Sequence, residues 1–284
     1  VFSVPFPYCK QCSIALNADG KFGFDKCCMD PVLQLELLLK RETAPSDTAA
    51  IFVEPVLGEG GYVPPPAGYL AALRKICDKH NILLVADEVQ CGFGRTGKMF
   101  AVEHWDVRPD ILIMAKGIAN GFPLSGIVSR KELMDKQQPG SMGGTYAGNA
   151  VSCAAGVAVA KAFKEEKILD NVNARGGELK GALQAAKEDP KTGKLIYDVR
   201  GLGLMLALEC TPGKGYASKI QAKCMEKDML VLTTSIYDTL RFIPPLNITK
   251  EDMAKGIQII TDAIKEVAAG EDPQETATKG QAPE

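Results

Sequence analysis

Short, continuous apolar runs alternate with helical spacing along the first half of the chain. Residues 49–53 and 82–86 are two such runs, and residues 66–80 between them place Leu70, Leu73, Ile76 and Cys77 on one helical face. Residues 110–114 and 124–129 add a third and a fourth run. Buried strands separated by helices predict a mostly parallel sheet covered on both faces. Residues 1–48 are patterned more weakly, with a turn at Asn17-Ala18-Asp19-Gly20 and a helical repeat through Val32, Leu35, Leu38 and Leu39.

The second half reads differently. Residues 147–168 form a long alanine- and valine-rich helix after the glycine-rich Gly143-Gly144-Thr145-Tyr146-Ala147-Gly148-Asn149, and residues 172–186 continue helical. Strands are then expected at 195–200, 204–209, 230–233 and 239–243, with helices at 217–227 and 250–269. Strands grouped with fewer helices indicate a smaller α+β domain. The expected division is therefore 1–165 for a large α/β domain, 166–269 for the small domain, and 270–284 for a tail too polar to order itself.

Composition narrows the function classes. A net charge of -2 and lysines spread along the chain give no basic surface for nucleic acid or an anionic membrane. No apolar run approaches the roughly 20 residues that span a bilayer, so small molecules are the expected partners. Nine cysteines, an odd number in a chain large enough to fold without cross-links, suggest a reducing compartment, the cytoplasm or the mitochondrial matrix. Cys9-x-x-Cys12 with Cys27-Cys28 has the residue types of a metal or redox site, but adjacent cysteines rarely share a tetrahedral ion and no histidine is near; no metal is expected. His80 and His104 come without a Gly-x-Ser-x-Gly elbow, which removes support for a hydrolase triad. Gly201-Leu202-Gly203 lacks the full dinucleotide fingerprint and reads as a turn into a strand.

Two residues stand where open α/β sheets collect ligands, beyond the carboxyl ends of strands: Asp87 after residues 82–86, and Lys116 after residues 110–114. A lysine amine can hold pyridoxal 5'-phosphate as a Schiff base and shuttle protons, while a carboxylate facing the pyridine nitrogen keeps it protonated. Taken singly, Asp87 also reads as a cap or turn aspartate and Lys116 as an ordinary surface lysine.

The stretch Ala86-Asp87-Glu88-Val89-Gln90-x-Gly92-x-Gly94-Arg95-Thr96-Gly97, then Pro109-Asp110 and Ala115-Lys116-Gly117-Ile118-Ala119-Asn120-Gly121-Phe122-Pro123-Leu124, resembles the class III aminotransferases of pyridoxal-phosphate fold type I. Glu54-Pro55-Val56-Leu57-Gly58-Glu59-Gly60-Gly61 and the segment around Thr145 resemble the 4-aminobutyrate branch. The likeness covers roughly residues 45–265. It implies that Lys116 bonds the cofactor and moves protons, Asp87 pairs with the ring nitrogen, Val89 packs on the ring, and Gln90 bonds its hydroxyl side. Thr145 would contact the phosphate across a homodimer interface, although helix capping explains that threonine equally well. Arg241 would take the α-carboxylate of a 2-oxo acid through its planar fork, with Glu59 masking it for substrates that lack that group. Without the resemblance, both are plain surface residues.

Relatives extend further at the amino end, so the chain resembles the carboxyl-terminal two thirds of the usual enzyme. It begins at Val1 without a signal-peptide pattern, as a processed product or fragment would. The implied reaction is transfer of an amino group from an ω-amino acid, 4-aminobutyrate first among candidates, to a 2-oxo acid such as 2-oxoglutarate. An ornithine- or acetylornithine-type donor, and a non-catalytic truncated homologue, remain as alternatives.

Overall fold

A computed structural model describes residues 1–12, 28–234 and 236–271. The turn expected at 17–20, Cys27 and the tail beyond 271 lie outside the described residues. By Cα proximity the chain forms two compact units: Val1–Leu57, Val63–Gly94 and Lys98–Lys167 make the first, while Gly58–Tyr62, Arg95–Gly97 and the chain from Ile168 make the second.

The first unit is built on a four-stranded sheet, β1 (Ala50–Val53), β2 (Leu83–Asp87), β3 (Ile111–Met114) and β4 (Gly126–Ser129), in that spatial order. β1, β2 and β3 run parallel and β4 antiparallel, so the mostly parallel sheet is present. Helices α1 (Asp30–Arg41) and α2 (Tyr69–His80) bury Leu35, Leu39, Leu70, Leu73, Ile76 and Cys77 against Leu84, with Ile51 and Val53 beside them. The start of α2 falls at Tyr69 and not at 66, because Gly68 takes φ 84 and interrupts the helical path from the prolines before it. Coverage of both faces holds at β2, where Leu84, Val85 and Ala86 are buried, and fails at the sheet edges. There Phe52 of β1 is 69% exposed and Val128 of β4 is 57% exposed. A short α3 (Lys131–Met134) follows β4.

The single long helix expected over 147–168 is shorter and separate from its successor. Asn149 caps it, its side chain accepting from the Val151 and Ser152 amides, so α4 runs Ala150–Glu165. Lys167 then adopts φ 50, and α5 (Ile168–Glu188) starts afresh.

The second unit has an antiparallel sheet in the order β5-β6-β8-β7, from β5 (Ile196–Leu202), β6 (Met205–Cys210), β7 (Leu232–Thr233) and β8 (Thr239–Phe242). It packs with α5, α6 (Tyr216–Met225) and α7 (Lys250–Gly270) around Leu183, Leu195, Leu206, Leu208, Ile220 and Ile264, each fully buried. Gly270, expected to open the polar tail, ends α7 instead. Gly201-Leu202-Gly203 turns β5 into β6, Leu202 pairing with Met205. A Cβ on Gly203 would meet the Thr96 backbone at 2.4 Å, and its φ of 53 favours glycine as well.

Candidate active site

In the parallel β2/β3 ladder Asp87 pairs with Ile113, and β3 runs on through Met114 and Ala115 to Lys116. The carboxylate and the amine thus leave neighbouring parallel strands at the same carboxyl edge, where ligands gather in such sheets. The register is pinned at the opposite end. The Leu84 amide donates to Asp110 Oδ2 at 2.8 Å and the Asp110 amide donates back to the Leu84 carbonyl at 2.8 Å. Arg74 donates to the same Oδ2 at 2.8 Å and Arg130 to Oδ1 at 3.0 Å. Burial alone would raise the Asp110 carboxyl, but the Leu84 amide and the two guanidiniums outweigh it and hold it below the usual carboxylate range.

Asp87 is half-buried, and one carboxylate oxygen accepts the Val89 amide at 3.0 Å. The turn role is therefore real, and it occupies Oδ1 alone; Oδ2 meets no protein donor among the described residues. Val89 and Gln90 follow, both half-buried. Lys116 is exposed and holds φ 45, a left-handed conformation uncommon for a residue with a Cβ, at the first position of the 3-10 turn Lys116–Ile118. The glycine next to it is needed for clearance: a Cβ on Gly117 would stand 2.8 Å from Phe93 Cβ. Phe93 belongs to the loop that continues from Asp87, so that loop packs against the chain at Gly117, next to Lys116. On the other side α4 closes on the turn, a Cβ on Gly156 lying 3.4 Å from the Ile118 carbonyl.

Glu88, next to Asp87, has a different task that sequence reading missed. Strand alternation sends it inward, where it is fully buried and accepts from the Ala101 amide at 3.0 Å, the Val102 amide at 2.8 Å and the Cys91 thiol at 3.1 Å. Burial pushes its carboxyl up, against the pull of those donors. Two adjacent acids signal that one must face inward, but not which.

Thr145 is exposed. Its capping alternative is corrected, since Asn149 fills that role.

Within the second unit, Arg241 on β8 donates through Nη1 to Glu59 Oε1 at 2.5 Å, a pair 182 residues apart in sequence. Glu59 is 65% exposed and Arg241 15% exposed. The buried Arg241 Nε has no acceptor among the described residues. Glu59 sits in the turn 58–62, which Arg200 fastens by donating from Nε and Nη2 to the Gly61 carbonyl at 3.0 and 2.7 Å. Tyr62 ends that turn at φ 54, almost fully buried, its ring centroid 6.0 Å from the Arg241 guanidinium carbon. Burial raises the Tyr62 phenol, opposed by the charges of Arg241 and Arg95. Arg95 is held by the carbonyls of Leu204 and Pro244 at 3.1 and 2.7 Å, and burial lowers its pKa. Tyr62, Arg95 and Arg200 were not singled out from sequence; an arginine amid the apolar residues of β5 was the available sign for Arg200.

Among the described residues no helix is long and apolar enough to cross a membrane, and no cluster of three or more His, Cys, Asp or Glu could hold a metal ion.

The class-III aminotransferase model matches residues 6–264. The chain is 43% identical over 246 residues to a 5-aminovalerate aminotransferase of Pseudomonas putida, covering 84% of this chain and 57% of that protein. It is 41% identical over 246 residues to the 4-aminobutyrate aminotransferase of Escherichia coli, with the same two coverages. The taurine:2-oxoglutarate aminotransferase of Bifidobacterium kashiwanohense, solved with pyridoxal phosphate and glutamate, superposes with a TM-score of 0.76 at 33% identity, over 84% of this chain and 56% of that one. The chain spans little more than half the length of these relatives. With the expected motifs in order on the expected sheet, it belongs to the class-III aminotransferases.

Proposed function

We propose that the protein of which this chain forms part transfers an amino group from an ω-amino acid, 4-aminobutyrate or its near homologues, to a 2-oxo acid such as 2-oxoglutarate, using pyridoxal 5'-phosphate. The observation that carries this reading is the emergence of Asp87 and Lys116 from adjacent parallel strands at one edge of the sheet. The residues fit the cofactor: Asp87 Oδ2 meets no protein donor among the described residues, and Lys116, beyond the end of the neighbouring strand, is exposed. When bound, pyridoxal phosphate supplies an aldehyde for amines and a ring that absorbs the electron pair left at the substrate carbon.

Lys116 Nζ anchors the cofactor, then takes the proton from the amine-bearing carbon and returns it one step along. Asp87 keeps a proton on the ring nitrogen, and Val89 and Gln90 line the ring. Arg241 takes the 2-oxo acid's α-carboxylate through its guanidinium, while Glu59 neutralises it when the donor has no such group. Thr145, exposed ahead of α4, suits the phosphate of a partner subunit in a homodimer. Ornithine and acetylornithine remain the alternative donors, since the chain does not carry the region expected to read the donor's far carboxylate.

Reducing the pyridoxal-phosphate-treated protein with borohydride and mapping its peptides tests the core assignment. The pyridoxyl group should sit on Lys116 and be lost in Lys116→Ala. Label spread over surface lysines, or none on Lys116, refutes it.

A further inference from the structure

Outside the candidate site, the chain ahead of α1 brings two thiols together. Cys12 follows the 3-10 turn Cys9–Gln11, Cys28 lies two residues before α1, and their sulfurs are 3.8 Å apart. Both are half-buried, within reach of a small reagent. Among the other described cysteines none matches this. Cys77 and Cys224 are buried with thiols pushed up to about 11, and burial raises Cys91 and Cys210 further; a thiol without thiolate is inert. Cys9 is buried, and the exposed Cys153 has no sulfur beside it among the described residues.

We propose that Cys12 and Cys28 form a redox-active dithiol, a modification site whose oxidant is a low-molecular-weight disulfide such as oxidised glutathione. One thiolate attacks a sulfur of the oxidant, the S–S bond breaks, and the first glutathione leaves with the electron pair and takes up a proton. The second protein thiolate then attacks the mixed disulfide and displaces the second glutathione. Two protein S–H bonds are lost, one S–S bond forms, and the two protons end on two glutathione thiols. The sulfurs need to close from 3.8 Å to a bond of about 2 Å. Both cysteines sit outside regular helix or strand, where side-chain rotation and a small backbone adjustment suffice. Two converging thiols, with no third and fourth ligand of a tetrahedral ion among the described residues, favour this chemistry over metal binding.

The test treats the full chain with oxidised glutathione at neutral pH, blocks remaining thiols, digests, and reads the peptides by mass spectrometry. One cross-linked species joining Cys12 to Cys28, two hydrogens lighter than the pair and reversed by dithiothreitol, is expected, and it should persist in Cys27→Ser. In Cys28→Ser the link should vanish and Cys12 should carry glutathione. Recovery of Cys12 and Cys28 as separate adducts or as blocked thiols overturns the proposal, as does a link that survives Cys28→Ser and so belongs to Cys27. The readout needs neither cofactor nor activity, so it stands apart from the proposed reaction.

Discussion

Replacing Asp110 by Asn removes one charge from the knot that sets the β2/β3 register. Asn retains an acceptor for the Leu84 amide but loses the ionic half of two arginine contacts. The Arg74 contact is the stronger, with side chains 20% and 14% exposed; Arg130 is 57% exposed. A half-buried, charge-assisted bond contributes about 1.5 kcal/mol and an exposed pair about 0.5, so the variant should lose about 2 kcal/mol at pH 7. The pH dependence follows from the depressed carboxyl. Its contribution is fully present above the unfolded value of 3.8 and is lost as pH falls through the lower folded value. Urea unfolding of both proteins, from pH 7 down to the lowest pH at which each still folds, should show a constant gap that narrows only below about pH 4. A gap under about 0.5 kcal/mol at pH 7, or one that begins to close near pH 6, would refute the account of Asp110 as an ionic register pin.

Gly117→Ala should destabilise by about 1–3 kcal/mol in urea unfolding, because its Cβ would meet Phe93 Cβ at 2.8 Å; an unchanged midpoint would mean the Phe93 loop is free to move away from Lys116. Glu88→Gln should lose about 1–3 kcal/mol, since an amide offers one acceptor oxygen where two backbone amides now bond separate oxygens. The raised Glu88 carboxyl stabilises below its unfolded value of 4.5 and loses that contribution as pH rises, so the gap should be wider at pH 5 than at pH 8; the opposite trend would sink the assignment. In the cofactor-loaded enzyme, Glu59→Gln frees Arg241 from a largely exposed partner worth at most about 1 kcal/mol. The KM for the 2-oxo acid should then fall up to about fivefold while that for the ω-amino donor rises; equal movement of both would count against the masking role. Oxidation of Cys12 with Cys28, 16 residues apart, should raise stability by about 3 kcal/mol, visible as a higher urea midpoint that dithiothreitol abolishes.

What the sequence made legible has a common physical basis. β2 is buried over Leu84–Ala86 and β3 is half-buried throughout, so their apolar runs were visible without knowledge of the fold; β2 lies one residue later than expected and β3 starts one residue later. At β3 the displacement has a cause: Asp110 spends its side chain on the Leu84 amide and so stands outside the strand it introduces. The left-handed turn at Lys167 between α4 and α5 was invisible, because Glu165-Glu166-Lys167 are helix formers and nothing local announces it. Exposed Phe52 and Val128 defeated the expectation of two covered faces for a related reason: apolar character shows that a residue can be buried, and is silent on whether another element covers it.

The candidate site divides along the same line. Asp87 and Lys116 were readable because strand ends in a parallel sheet place their successors in one region, whereas Glu59 and Arg241, far apart in sequence, were linked through resemblance alone. Lys116-Gly117 shows where local rules mislead. Glycine is the residue expected to absorb a left-handed backbone, yet the lysine carries φ 45 and the glycine serves to admit Phe93. Strain on Lys116, with its neighbour kept small, means that the backbone path is fixed by packing from the Asp87 loop on one side and α4 on the other. That path determines where the Lys116 side chain departs from the sheet. The loop contact at Gly117 therefore couples the position of the amine to the position of the carboxylate, and a substitution that loosens it should disturb both together.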